Sequence, residues 1–125
     1  MTAGSSSKYD IENLQYIIKY CEDIDYLIQL HGTDETDFQE ISLQYGCVFA
    51  LSQIGEYAKR ISSELKDSYP QIEWKSIAGL RGVIVHNYED INVRRVRSTV
   101  LNRIPQLESE CKSILADLRS KYVLE

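Results

Sequence analysis

The ten residues Gly79-Leu80-Arg81-Gly82-Val83-Ile84-Val85-His86-Asn87-Tyr88 concentrate the side chains best suited to chemistry. Arginine grips a phosphate through paired hydrogen bonds and stabilises charge that develops on it. Histidine titrates near neutrality, so it can take a proton from a 2′-hydroxyl or give one to a leaving 5′-oxygen. Tyrosine can donate to the phosphate or be the hydroxyl that is itself modified. Arg81, His86 and Tyr88 together therefore suit phosphodiester cleavage. No carboxylate cluster with metal-ligand spacing accompanies them, so metal-independent cleavage is the natural chemistry, and no cofactor is expected. Taken without context, His86 serves equally well as a helix-terminal histidine bonded to a carbonyl.

Spacing adds a condition. Arg81 and His86 are five apart, about 140° around an ideal helix, so helical geometry alone does not stack them. The helix must end or loosen near Val85 for the histidine to turn back toward the arginine. Gly82 and Asn87 are compatible with that.

The elements that would carry this segment read as all-α. Two prolines and six glycines leave few breaks in 125 residues, and strand-like alternation is absent. Ile11, Leu14, Ile17, Ile18, Cys21, Ile24 and Ile28 form one helical stripe, with Asp10 as N-cap and His31-Gly32 as the end. Thr36 and Gln39 resemble a capping box for a second helix reaching Ser68, where Pro70 stops it. Its expected inward stripe is Ile41, Tyr45, Val48, Leu51, Gly55, Ala58, Ile61 and Leu65. Gly46, Gly55 and Ala58 are small enough for a neighbouring helix to approach closely.

A third helix spans about Glu73 to Val85 with Trp74, Ile77, Leu80 and Ile84 inward. Asn92 caps a fourth from Val93 to about Leu101. Pro105 opens a fifth that buries Leu107, Cys111, Ile114, Leu115 and Leu118. The expectation is an up-down bundle of four main helices plus one short helix, as one domain over 9–123 behind a disordered lead, 1–8. Most of the nine tyrosines are expected at the core edge or in an oligomer interface.

No stretch approaches the roughly 18 apolar residues of a membrane span, and the start of the chain lacks the pattern of a secretory leader. Cys21, Cys47 and Cys111 are odd in number, far apart and set among apolar residues, which suits buried thiols in a reducing cytoplasm.

The formal charge is -5 and the isoelectric point about 5.1, which argues against a general coating of nucleic acid. The average hides a segregation. Tyr20 to Ala58 holds eight acids and no lysine or arginine, whereas Ile91 to Leu107 holds Arg94, Arg95, Arg97 and Arg103 and no acid. Lys75 and Arg81 lie just before. Lys75, Arg94, Arg95 and Arg97 are candidate RNA-phosphate contacts, set against the plain alternative of a solvated helix face.

The chain resembles the HEPN superfamily, whose ribonuclease members carry an Arg-x4-6-His signature, and most of all the HepT branch, where it extends to Arg-x4-His-x-Tyr. The resemblance includes Gln53-Ile54-Gly55-Glu56-Tyr57-Ala58-Lys59-Arg60, then Trp74, Ile77-Ala78-Gly79-Leu80-Arg81 and His86-Asn87-Tyr88. It continues through Ile91, Val96 and Val100 to Ile104-Pro105-Gln106-Leu107. It implies a helical toxin that dimerises about a two-fold axis and cuts RNA in a shared cleft, with Arg81 and His86 as the catalytic pair. It implies as partner a minimal nucleotidyltransferase antitoxin that attaches AMP to Tyr88. AMP there would repel and exclude substrate phosphate. One residue departs from the pattern: many active HEPN nucleases have a polar residue after the arginine, and here it is Gly82. The alternative reading is a catalytically silent HEPN module that docks on a nucleotidyltransferase and helps it hold nucleotide or substrate.

Overall fold

The computed structural model describes residues 3–87 and 90–124, with the side chains of 8–82 and 90–121. The architecture is an all-α bundle. Its long members are α1 (Ala3–His31), α2 (Ile41–Lys59) and α7 (Ile104–Leu124). Shorter helices connect them: α3 (Ser63–Ser68), α4 (Trp74–Ala78), α5 (Leu80–Ile84) and α6 (Val93–Ser98). No helix among the described residues is long and apolar enough to cross a membrane.

The α1 and α7 stripes lie as read. Leu14, Ile17, Ile18, Cys21 and Ile24 are buried against Leu107, Cys111, Ile114, Leu115 and Leu118. Gly32 ends α1 at φ 103°, and its N–H bonds the Ile28 carbonyl at 2.7 Å. A side chain there would meet the Asp37 carboxylate as well as the strain of a left-handed backbone. All three cysteines are free and buried. Burial pushes the Cys47 and Cys111 thiols up to about 12, so they stay protonated and act as core fillers.

Several boundaries differ from the sequence reading, each for a physical reason. α1 begins at Ala3, so Asp10 lies inside the helix rather than at its cap. Asp10 is 3% exposed, and its carboxylate accepts the Ser62 N–H at 2.8 Å and the Ser62 hydroxyl. Ser62 in turn caps α3, its Oγ accepting the Leu65 N–H. This is why the second helix stops at Lys59 and restarts at Ser63. Thr36 makes no capping bond; Asp37–Gln39 is a 3-10 turn, and Glu40 caps α2 through the Ser42 N–H. The third helix breaks at Gly79 into α4 and α5.

Asn92 caps α6 as expected, its Oδ1 accepting the Arg95 N–H at 3.1 Å. α6 then runs on without a break. A π-helical turn at Thr99–Arg103 joins it to α7, where the Ile104 N–H reaches back five residues to Thr99 O. Pro105 has no N–H to donate, and a widened turn just before it lets the helix accept the ring. Two short strands, β1 (Val85–Asn87) and β2 (Asp90–Ile91), pair antiparallel with Val85 opposite Ile91.

The largest difference is on α2. Leu43, Cys47, Val48, Ala50, Leu51 and Ile54 face the core, while Ile41, Tyr45 and Phe49 are 60%, 56% and 58% exposed. The helix is apolar on two sides, and only one of them is buried in this chain.

At the α1–α7 contact Asp25 and Glu108 are hydrogen-bonded, and below about pH 6 a proton on Asp25 joins them. Partial burial, then the Glu108 hydrogen bond and charge, push Asp25 up from 3.8 to about 6. Burial alone would raise Glu108 too, but hydrogen bonds from Lys112 and Asp25 hold it down. Folding thus gains from the Asp25 proton at low pH, and the gain is lost as pH rises through about 6. Asp25→Asn keeps a donor to Glu108 without a titrating proton. It is expected to melt higher than the parent at about pH 7.5, with the gap closing by about pH 5. A gap constant across that range in thermal melts would refute the shared proton.

Candidate functional site

Arg81 sits on the last turn of α5, and the helix ends at Ile84. The chain then enters β1, which carries His86 on its backbone. The helix therefore ends where the Arg81–His86 spacing required. The His86 imidazole is outside the described side chains, and Tyr88 lies outside the described residues.

Arg81 lines a cleft of about 620 Å3 together with Tyr45, Val48, Phe49, Gln53 and Ile91. Ile91 comes from β2, directly opposite Val85, the residue before His86. The hairpin thus brings the histidine's backbone alongside the cleft that holds the arginine. A second cleft, of about 390 Å3, lies against the first and shares Arg81, Ser52 and Glu56 with it. Its own walls are Lys59, Lys75, Gly79 and Gly82.

What seats these pieces is the approach of α4 to α2. A Cβ at Gly55 would lie 3.1 Å from the Ala78 carbonyl oxygen and 3.2 Å from that of Ile77. Both atoms are backbone, so neither can swing aside. The absent side chain lets α2 deliver Ser52, Glu56 and Lys59 to the segment that carries Lys75 and Arg81. Trp74 pins the start of α4, its indole N–H donating to Tyr69 O at 3.2 Å. Arg103 pairs with Glu73 at 3.0 Å at the same end.

Of the candidate phosphate contacts, Lys75 joins Arg81. The α6 arginines do not. Arg94 and Arg97 line a separate groove of about 240 Å3 with Glu35, Phe38 and Gln39. Arg97 Nε also donates to Thr33 O at 2.8 Å, which ties it to the loop after α1. Arg95 is exposed. Sequence reasoning assigned no role to Ser52, Glu56 and Lys59. They are four and three residues apart, so they share a helical face with one another, but that face has no recognisable use until Arg81 is placed opposite it.

An aromatic surface adjoins the first cleft. Tyr16 and Tyr57 stack at 4.7 Å with 14° between the planes, and Tyr20 meets Phe49 edge-on at 6.0 Å. Lys19 lies over the Tyr20 ring and Arg60 over Tyr57. Tyr16, Ile41, Tyr45 and Phe49 are all exposed, so the α1–α2 hairpin carries large apolar side chains on its surface.

A family model described as HepT-like, "Ribonuclease HepT-like", matches residues 13–114. A Methanocaldococcus jannaschii protein named "Putative RNase" is 30% identical over 119 residues, covering 91% of this chain and 98% of the relative. A protein of the same name from Caldanaerobacter subterraneus subsp. tengcongensis is 35% identical over 104 residues, covering 82% and 90%. One from Thermococcus cleftensis named "Probable ribonuclease HepT" is 32% identical over 101 residues, covering 76% and 92%. No solved structure matches the chain.

The two glycines flanking the site should respond in opposite ways to alanine. A Cβ at Gly82 meets nothing within 4 Å among the described residues. Gly82→Ala is expected to leave stability unchanged or raised by about 0.5 kcal/mol through helix propensity. Gly55→Ala forces α2 and α4 apart and is expected to cost about 1 kcal/mol net of that same propensity. Urea unfolding midpoints in the reverse order would show that the α2–α4 approach is not what Gly55 provides.

Proposed function

The chain belongs to the ribonuclease HepT-like family, and on that footing we propose that it is a metal-independent endoribonuclease whose catalytic pair is Arg81 and His86. The observation that carries this reading is the turn from α5 into β1, which lines Arg81 and the residue paired with Val85 along one cleft.

The step is a transesterification. His86 takes the proton of a 2′-hydroxyl, the 2′-oxygen attacks phosphorus, and the bond to the 5′-oxygen breaks as that oxygen gains a proton. Arg81 holds the phosphate and stabilises the charge that builds on its oxygens. The products are a 2′,3′-cyclic phosphate and a 5′-hydroxyl. The exposed Ile41–Tyr45–Phe49 stripe borders this cleft, which supports a homodimer whose two copies face each other across it. Two His86 residues would then supply the base and the acid.

In the same reading the protein is the toxin of a toxin–antitoxin pair. A minimal nucleotidyltransferase antitoxin neutralises it by joining AMP to Tyr88, whose added bulk and negative charge exclude the substrate phosphate.

Incubation of the purified protein with RNA in EDTA tests the catalytic assignment. Arg81→Ala and His86→Ala are each expected to lower the cleavage rate by at least about a hundredfold while the helical circular dichroism is retained. Cleavage that survives either change would remove that residue from the pair. No cleavage of any RNA by the parent would favour the silent docking module instead. With the antitoxin and ATP, the protein is expected to gain mass in steps of about 329 Da. A Tyr88→Phe variant that still takes the label would move the acceptor elsewhere.

A further inference from the structure

We infer that the cleft walled by Lys59 and Lys75 is a second phosphate subsite, holding the backbone phosphate next to the one that Arg81 engages on a single-stranded RNA. The inference rests on the ribonuclease reading and adds to it the part of the substrate beyond the cleaved bond.

Arg81 lines two adjoining clefts that share Ser52 and Glu56 and differ in their remaining walls. On one side Tyr45, Val48, Phe49 and Ile91 offer apolar and aromatic surface. On the other, the side chains are Ser52, Glu56, Lys59, Lys75 and Ala78, with the bare backbone of Gly79 and Gly82 between them. Among the described lining residues Lys59 and Lys75 stand with one carboxylate, Glu56, a surplus of one positive charge before Arg81 is counted, in a chain whose total is -5. A concave surface with such a surplus draws phosphate by focusing the field.

Glu56 holds Lys59 at 3.0 Å, with both side chains at least half exposed. An exposed pair of this kind is worth little, so Lys59 can transfer to a phosphate at small cost. Space is available too, since a Cβ at Gly82 would find nothing within 4 Å among the described residues. The polar residue common after the arginine in related nucleases would stand at this wall. Glycine leaves it open to a ribose-phosphate backbone. Finally, Tyr45 and Phe49 line only the first cleft, so a partner covering their stripe leaves the lysine side open to solvent.

The consequence is a substrate with a charged linkage beyond the one that is cut. That is an internal phosphodiester of a single strand, in keeping with an endonuclease.

A 2′-O-methyl oligoribonucleotide lacks the attacking hydroxyl, so it reports binding without cleavage. Its affinity is measured by fluorescence anisotropy across a series of KCl concentrations. Each phosphate contact on a single strand contributes about 0.7 to the slope of log affinity against log salt. Lys59→Ala/Lys75→Ala is expected to lower that slope by about 0.7, the share of one phosphate, and to weaken binding roughly tenfold at low salt. Lys59→Arg/Lys75→Arg is expected to restore the slope. With unmodified RNA the alanine pair raises KM, whereas Arg81→Ala lowers kcat. A slope equal to the parent's in the alanine pair overturns the subsite. If Arg81→Ala still abolishes cleavage in that case, the ribonuclease reading stands. A parent that neither binds nor cuts RNA overturns both.

Discussion

At Gly55 the α2 backbone runs against the carbonyls of Ile77 and Ala78 with no side chain between them. Two helices this close transmit position almost rigidly, because backbone atoms cannot rotate out of each other's way as side chains do. The site depends on that rigidity. α2 contributes Ser52, Glu56 and Lys59, and the segment after Trp74 contributes Lys75 and Arg81. Neither half has a cleft without the other. α5 is a single helical turn and could not hold an arginine in place unaided. Its placement comes from the helices behind it.

Much of this was legible in the chain. The stripes of α1 and α7 follow a 3.6-residue period with few exceptions, and the Gly32 terminus and the Asn92 cap are local signals that the fold obeys. The condition that the helix end near Val85 came from the angle between Arg81 and His86 alone. What was not legible depended on partners distant in sequence. The break after Lys59 needs Asp10 to reach Ser62, 52 residues away. The hairpin is too short to show alternation. On α2 the period was present twice, once in Leu43, Cys47, Leu51 and Ile54 and once in Ile41, Tyr45 and Phe49. A pattern says that a face is apolar and does not say what it will touch.

Charge followed a similar course. The acidic stretch from Tyr20 to Ala58 and the arginines from Arg94 to Arg103 look like opposed surfaces in the sequence. In the fold they partly answer one another. Arg94 and Arg97 share a groove with Glu35, and Arg97 binds the Thr33 carbonyl. Lys112 bridges Glu22 on α1 and Glu108 on its own helix. The described cations that share a cleft with Arg81 are instead Lys59 and Lys75, both outside the arginine-rich stretch. Net charge and runs of charge did not show which cations share a cleft with Arg81, because that depends on the shape of the surface.

The widened turn at Thr99–Arg103 has a consequence for how the chain tolerates change in length. Val96, Val100 and Ile104 are all buried although each is four residues from the next. On a regular helix eight residues overshoot two full turns by roughly 80°, so a stripe of fours drifts across the buried face, as Leu107, Cys111 and Leu115 do on α7. The π-helical turn, with more residues per rotation, absorbs that excess. Loss of one residue inside it would leave seven residues at the ordinary pitch, short of two turns by only about 20°. The core face of α7 would stay in register. The same loss one turn later would rotate everything beyond it by about 100° and bury the wrong side. The turn is thus a point along this long helix where one residue could be lost with the core face kept in register.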